Sequence, residues 1–153
     1  MTRRHLPHWS REGSVYFVTF RLATGTLTGP ERSLVQNHLR SGDARFYTLI
    51  ATCVMPDHVH ILIRPNDGIE VSRVLKGIKG VTARIINQGR GTRGHVWQEE
   101  SWDRIVRDER EFTEKLNYML NNAAAKGLVE DPWEYDGWYL NDSPTRNRTN
   151  EGD

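Results

Sequence analysis

The pattern of apolar and polar positions along the chain predicts seven elements. "GSVYFVTFRLA" (13–23) is rich in aromatic and β-branched residues and predicts a first strand. "TGPERSLVQNHLRSG" follows, with Thr28 and Glu31 at capping-box spacing and Pro30 suited to a first helical turn. Leu34, Val35, His38 and Leu39 form one face of that helix, and Gly42 ends it. "RFYTLIATCVM" and "HVHILIR" predict two strands joined through Pro56 and Asp57. In "IEVSRVLKGIKGVTARIIN", Val71, Val74, Leu75, Ile78, Thr82, Ile85 and Ile86 fit a period of 3.6. A strand is expected near Ser101–Val106. The last helix runs through "DEREFTEKLNYMLNNAAAKGLV", with Asp108 and Glu111 as a cap, Phe112, Leu116, Met119 and Ala123 as its stripe, and Lys126–Gly127 as its end.

The resulting order, βαββαβα, matches the split βαβ plan. It predicts an α+β, ferredoxin-like sandwich: an antiparallel sheet with its helices on one face. The 153 residues suit one domain, placed at 1–140, followed by a polar tail at 141–153 expected to be disordered. No apolar run approaches the roughly 20 residues of a membrane helix. The N-terminus carries charge without an apolar segment behind it, so no membrane partner and a cytoplasmic location are expected. The single cysteine, Cys53, lies in an apolar strand pattern and reads as an inert buried thiol.

Chemistry concentrates in "VMPDHVHILIRP" (54–65). Residues two apart on a strand share a face, so His58 and His60 point the same way, beside Leu62. That face is either a solvated polar surface or two ligands of a divalent ion. Tyr118 and Asn122 are neighbours four apart on the last helix, at the edge of its apolar stripe. A helix packed across the end of the hairpin would bring both toward the histidines. The two imidazoles and the Asn122 amide oxygen then suit a cation. Tyr118 becomes an oxygen nucleophile for a phosphodiester. Neutral ligands with a phosphate substrate suggest Mg²⁺ or Mn²⁺. Asn121 is an equally available amide.

The net charge of +1 favours no partner, but its distribution is uneven. Residues 69–94 hold six cations (Arg73, Lys76, Lys79, Arg84, Arg90, Arg93) and one anion, a net of +5. Residues 98–115 hold four cations and seven anions, a net of −3. The basic stretch suits a polyanion or a solvated helix face equally well.

In that order, "VMPDHVHILIRP", "LKGIKGVTARIIN", "VWQEESWDRIVRDEREF" and "NYMLNNAAAKGLVEDPWEY" resemble the REP-associated tyrosine transposases. These belong to the single-tyrosine transposases of the HUH nuclease class, named for two histidines around an apolar residue. "RRHLPHWSREGSVYFVTFRLA" resembles their N-terminal stretch, so the likeness spans roughly residues 3–135. The resemblance implies a ferredoxin-like domain that cleaves and rejoins single-stranded DNA at hairpin-forming repeats, through a 5′-phosphotyrosine link and a free 3′-hydroxyl. It implies a divalent cation and a monomer or homodimer. By position, His58 and His60 match the histidine pair, Tyr118 the nucleophile and Asn122 the third polar ligand. The family's usual Asn-Pro-Val is here Asn122-Ala123-Ala124, and Ala123 favours continuing the helix.

Single strands are held by cationic grooves with stacking aromatics. Arg3 and Arg4 at the N-terminus, Arg73, Lys76 and Lys79 on the second helix, and Arg90 and Arg93 in the following loop are the expected DNA contacts. Lys79 matches a lysine usual in the family's "IKG" block. Trp97 and Trp102 read as packing residues, and Asp103 as a group that could orient a ligand histidine. Two other functions stay open. One is a non-catalytic ferredoxin-like module that binds DNA or RNA hairpins. The other is a zinc hydrolase on His58, His60 and His95.

Overall fold

The structure is a computed structural model and describes Trp9 and residues 13–142. Five strands form one antiparallel sheet: β1 (Val15–Leu22), β2 (Tyr47–Val54), β3 (His58–Pro65), β4 (Trp97–Val106) and β5 (Trp138–Leu140). Three helices accompany them: α1 (Gly29–Ser41), α2 (Val71–Arg90) and α3 (Glu109–Ala125). The strand order is β4-β1-β3-β2-β5. Inserting β3 between β1 and β2 gives the expected α+β ferredoxin-like plan. The three-residue β5 is an addition that the apolar pattern did not predict; it pairs with the β2 edge through Ala51, Thr52 and Cys53.

The caps act where the sequence puts them. The Thr28 hydroxyl accepts from Glu31 N–H at 3.2 Å, and the Glu31 carboxylate accepts from Thr28 N–H at 2.9 Å. Asp108 accepts from Glu111 N–H at 2.9 Å and starts α3. The helices do not share one face of the sheet. Val35, Leu39, Leu75, Ile78 and Ile86 pack with Val18, Phe20, Val59, Ile61 and Ile63, so α1 and α2 lie on one side. Phe112, Leu116, Met119 and Ala123 pack with Ala51, Cys53 and Leu62, so α3 lies on the other. Strand alternation demands this. The odd residues of β3 face α1 and α2, and the even ones, His58, His60 and Leu62, face α3. Burying Phe112, Leu116 and Met119 anchors α3 there, at about 2 kcal/mol per side chain.

Ordered chain also runs past residue 140. Asn141 is buried; its side chain donates to the Leu49 carbonyl at 2.9 Å and its N–H to the Ile50 carbonyl at 2.9 Å. The rest of the expected tail from residue 143, and Arg3 and Arg4, lie outside the described residues. No helix among the described residues is long and apolar enough to cross a membrane. Cys53 is buried, and burial pushes its thiol pKa up to about 12, which makes it inert as expected.

Candidate active site

The α3 side of the sheet gathers side chains from four strand and helix segments. Cross-strand register sets the floor: Phe17, Thr19 and Arg21 on β1 stand opposite Leu62, His60 and His58 on β3. On the other flank of β1, Thr19 stands opposite Trp102 on β4. The α3 helix supplies the roof through Lys115, Tyr118 and Asn122, which recur at helical spacing.

His58 and His60 are both buried, at 5% and 3% exposure, with ring centroids 4.7 Å apart. His58 Nδ1 lies 2.7 Å from Asp57 Oδ1, and its Nε2 lies 3.2 Å from Asn122 Oδ1. The bond to His58 holds the Asp57 carboxyl below the usual range, so this group is an ionised acceptor. His58 Nδ1 therefore donates to it. Its Nε2 faces the Asn122 oxygen. His60 Nδ1 meets the Thr19 hydroxyl at 2.8 Å, whereas its buried Nε2 has no hydrogen-bond partner. Burial first, then the neighbouring His58, Arg21 and Lys115, push the His60 pKa down to about 3. His60 is therefore a neutral imidazole at ordinary pH.

His58 Nε2, His60 Nε2 and Asn122 Oδ1 thus converge, and of the three the buried His60 Nε2 has no partner. An orphaned buried polar atom is costly, and a cation held by these three groups would relieve it. The donor set fits a divalent cation on this ground. Asp57 and Thr19 do the orienting that was expected of Asp103. Asp103 pairs with Val18 and faces the α1–α2 side, so it cannot reach the histidines. Nor does the zinc alternative hold. His95 is exposed before β4, and among the described residues no three His, Cys, Asp or Glu side chains group to hold a metal.

Tyr118 is 54% exposed, and its ring centroid lies 5.4 Å from that of His60. The ring also meets Phe17 edge-on at 6.2 Å, and Phe17 stacks on His60 at 5.3 Å. Four residues on, Asn122 is buried against His58. The Asn-Ala-Ala sequence leaves α3 unbroken to Ala125, with Ala123 fully buried, so Tyr118 and Asn122 keep their one-turn relation. The structure therefore brings together His58, His60, Tyr118 and Asn122. Asn121, the other candidate amide, turns away and donates to the Asn117 carbonyl at 2.8 Å.

The expected DNA-contacting cations do not join them. Arg73, Lys76, Lys79 and Arg90 belong to α2, on the opposite layer, and Arg93 lies in the loop after it. Two of these side chains are already engaged. The Lys79 ammonium donates to the Gln98 and Glu99 carbonyls at 2.7 and 3.0 Å and to Ser101 Oγ at 2.8 Å. Arg90 forks onto Glu31 at 2.6 and 2.9 Å, which holds that carboxyl down at about 2. The cations that line the site are Arg21 and Lys115 instead, in an open cleft of about 390 Å³ with Phe17, Trp102 and Tyr118. Of the two tryptophans, Trp97 is core, donating from its indole N–H to the Thr82 hydroxyl at 2.9 Å, whereas Trp102 is half exposed in the cleft.

A ferredoxin-like sheet bearing a histidine pair beneath a helical tyrosine defines a class, and comparison with known proteins agrees with it. The family model described as IS200-like transposase matches residues 32–106, which hold the histidine strand. Over that stretch, just under half of its length, the chain is similar to the IS200-like transposases. Its particular likeness is to the REP-associated tyrosine transposases. It is 23% identical over 143 residues to a putative REP-associated tyrosine transposase of Haemophilus influenzae, covering 84% of this chain and 81% of that one. A solved structure of a REP-associated tyrosine transposase bound to a REP hairpin shares the fold. Its TM-score is 0.67 at 18% identity, over 99% of this chain and 86% of that one.

Proposed function

We propose that this protein cleaves and rejoins single-stranded DNA at hairpin-forming repeats, with Tyr118 as the attacking group. The observation that carries this reading is the exposed Tyr118 ring, 5.4 Å from a buried imidazole whose Nε2 has no partner. The phenolic oxygen bonds to phosphorus as the bond to the 3′ oxygen breaks. The proton lost by the phenol is matched by the one the leaving 3′ oxygen gains. The product is a 5′-phosphotyrosine ester and a free 3′-hydroxyl. That hydroxyl can run the step backwards, so the strand is resealed without a nucleotide triphosphate.

His58, His60 and Asn122 would hold a divalent cation, Mg²⁺ or Mn²⁺. When bound, such an ion draws charge from the phosphate oxygens. The chain's own contribution is to hold both imidazoles in place, through Asp57 and Thr19, to keep His60 neutral by burial, and to present the phenol from a rigid helix. The tyrosine and histidines meet within one chain, which supports a site complete in a monomer; a homodimer needs no exchange of α3. The test is incubation with hairpin oligonucleotides and Mn²⁺, then a denaturing gel and peptide mass analysis. A covalent adduct on Tyr118, lost in Tyr118→Phe, is expected. Hairpin binding without any adduct, across metals and repeat sequences, would replace this reading with the non-catalytic binding module.

A further inference from the structure

Beside Tyr118 the cleft has an unusual balance of groups. Its lining holds two cations, Arg21 and Lys115, two aromatic rings besides the tyrosine, Phe17 and Trp102, and no carboxylate. Among the described residues neither cation forms an ion pair or hydrogen bond; Lys115 rests over the Phe17 ring at 4.9 Å. Trp102 is the most exposed of the described tryptophans and sits on the edge strand β4, open to solvent on its outer side. An apolar ring 50% exposed beside two cations that no carboxylate binds directly is poorly explained by packing. An aromatic face with adjacent positive charge suits a nucleobase and its phosphate.

Resting on the reading of Tyr118 given above, we infer that this cleft seats one unpaired nucleotide flanking the scissile phosphate. Its base stacks on Trp102, and Arg21 and Lys115 hold the phosphates on either side. The placement follows from the register. Trp102 stands opposite Thr19, which stands opposite His60, so a base on Trp102 lies two strands across the sheet from the imidazole. Arg21 stands opposite His58, and Lys115 is one helical turn before Tyr118. A strand crossing from Trp102 toward Tyr118 therefore meets positive charge on both sides of the attacked phosphorus. Phe17 sets the floor by stacking on His60 and carrying Lys115 on its other contacts. Stacking on one ring accepts any base, so this seat positions the strand, and selection among sequences must come from other contacts.

The test is made in a Tyr118→Phe background, so that it reads binding apart from chemistry. The probe is a fluorescein-labelled DNA hairpin with a ten-nucleotide unpaired thymidine extension. Trp102→Ala is expected to weaken binding about tenfold, and Trp102→Phe no more than about threefold, because a ring face is kept. Trp102→Ala should bind the same hairpin without its extension as the parent does. Arg21→Ala and Lys115→Ala should each lower the slope of log affinity against log salt by about 0.7. Equal affinity of Trp102→Ala and its parent for the extended probe overturns the inference, as does an equal loss for the blunt hairpin. Absence of an adduct on wild-type Tyr118 with these binding effects intact overturns the tyrosine chemistry alone.

Discussion

Lys79→Met separates two roles for a lysine that the charge pattern assigns to DNA and the fold assigns to β4. The substitution keeps most of the stem and removes the ammonium. That ammonium spends all three donors on the edge strand, at 2.7, 3.0 and 2.8 Å. Hydrogen bonds to a charged group contribute roughly 1.5–3 kcal/mol each in favourable cases. These three share one half-buried ammonium that also loses hydration, and burial lowers its pKa, so they are far from additive. An expected loss of about 2 kcal/mol is reasonable, because the two freed carbonyls on β4 are at the sheet edge and regain water. For a domain of this size that is a fall in Tm of roughly 4–8 °C. Thermal and urea unfolding, followed by circular dichroism, measure it.

The same variant should leave the salt dependence of hairpin binding unchanged. A lysine on a phosphate of a single strand adds about 0.7 to the slope of log affinity against log salt. Lys79→Met with wild-type Tm and a slope reduced by that amount would refute the latch and restore Lys79 to the DNA interface. A loss of stability with an unchanged slope supports the latch.

Acid should destabilise the fold through His60. Its folded pKa of about 3 lies below the ordinary 6.5, so the unfolded chain binds the extra proton; the contribution is full above pH 6.5 and drains away as pH falls toward 3. Between pH 7.5 and pH 5, in EDTA, wild type should lose about 2 kcal/mol more than His60→Gln in urea unfolding; equal losses would show that burial does not hold this imidazole neutral. Gly137→Ala should destabilise by about 1–3 kcal/mol, because a methyl there collides with the Val54 carbonyl oxygen and the Tyr135 ring; a wild-type urea midpoint would contradict it.

Features written in local rules were readable before the fold was known. Thr28 and Glu31 cap α1 because three residues suffice to close that loop of hydrogen bonds. His58 and His60 share a face because a strand alternates with period two. The stripe of α3 named Phe112, Leu116 and Met119 as its buried side, and Tyr118 and Asn122 followed as neighbours. A periodic stripe states which side of a helix is buried, but not on which side of the sheet the helix lies. That choice put α3 over the histidines and α2, with its +5 charge, behind them.

The cations of the cleft were missed for a related reason. Counting charge along the chain measures proximity in sequence, and Lys115 sits in a window whose net is −3. Arg21 is the lone cation of its strand and stood out in no window. Both reach the site by register: Arg21 because β1 pairs with β3 so that it meets His58, Lys115 because it precedes Tyr118 by one turn. Strand pairing converts a histidine face into a list of cross-strand partners at two-residue steps. Once β1 is paired with β3, the even positions of β3 select Phe17, Thr19 and Arg21 on β1, and Thr19 selects Trp102 on β4. The missing quantity was therefore the pairing of strands far apart in the chain, about forty residues for Thr19 and His60 and about eighty for Thr19 and Trp102, which neither composition nor periodicity encodes; with both pairings, every cleft residue from the sheet follows from the position of His60.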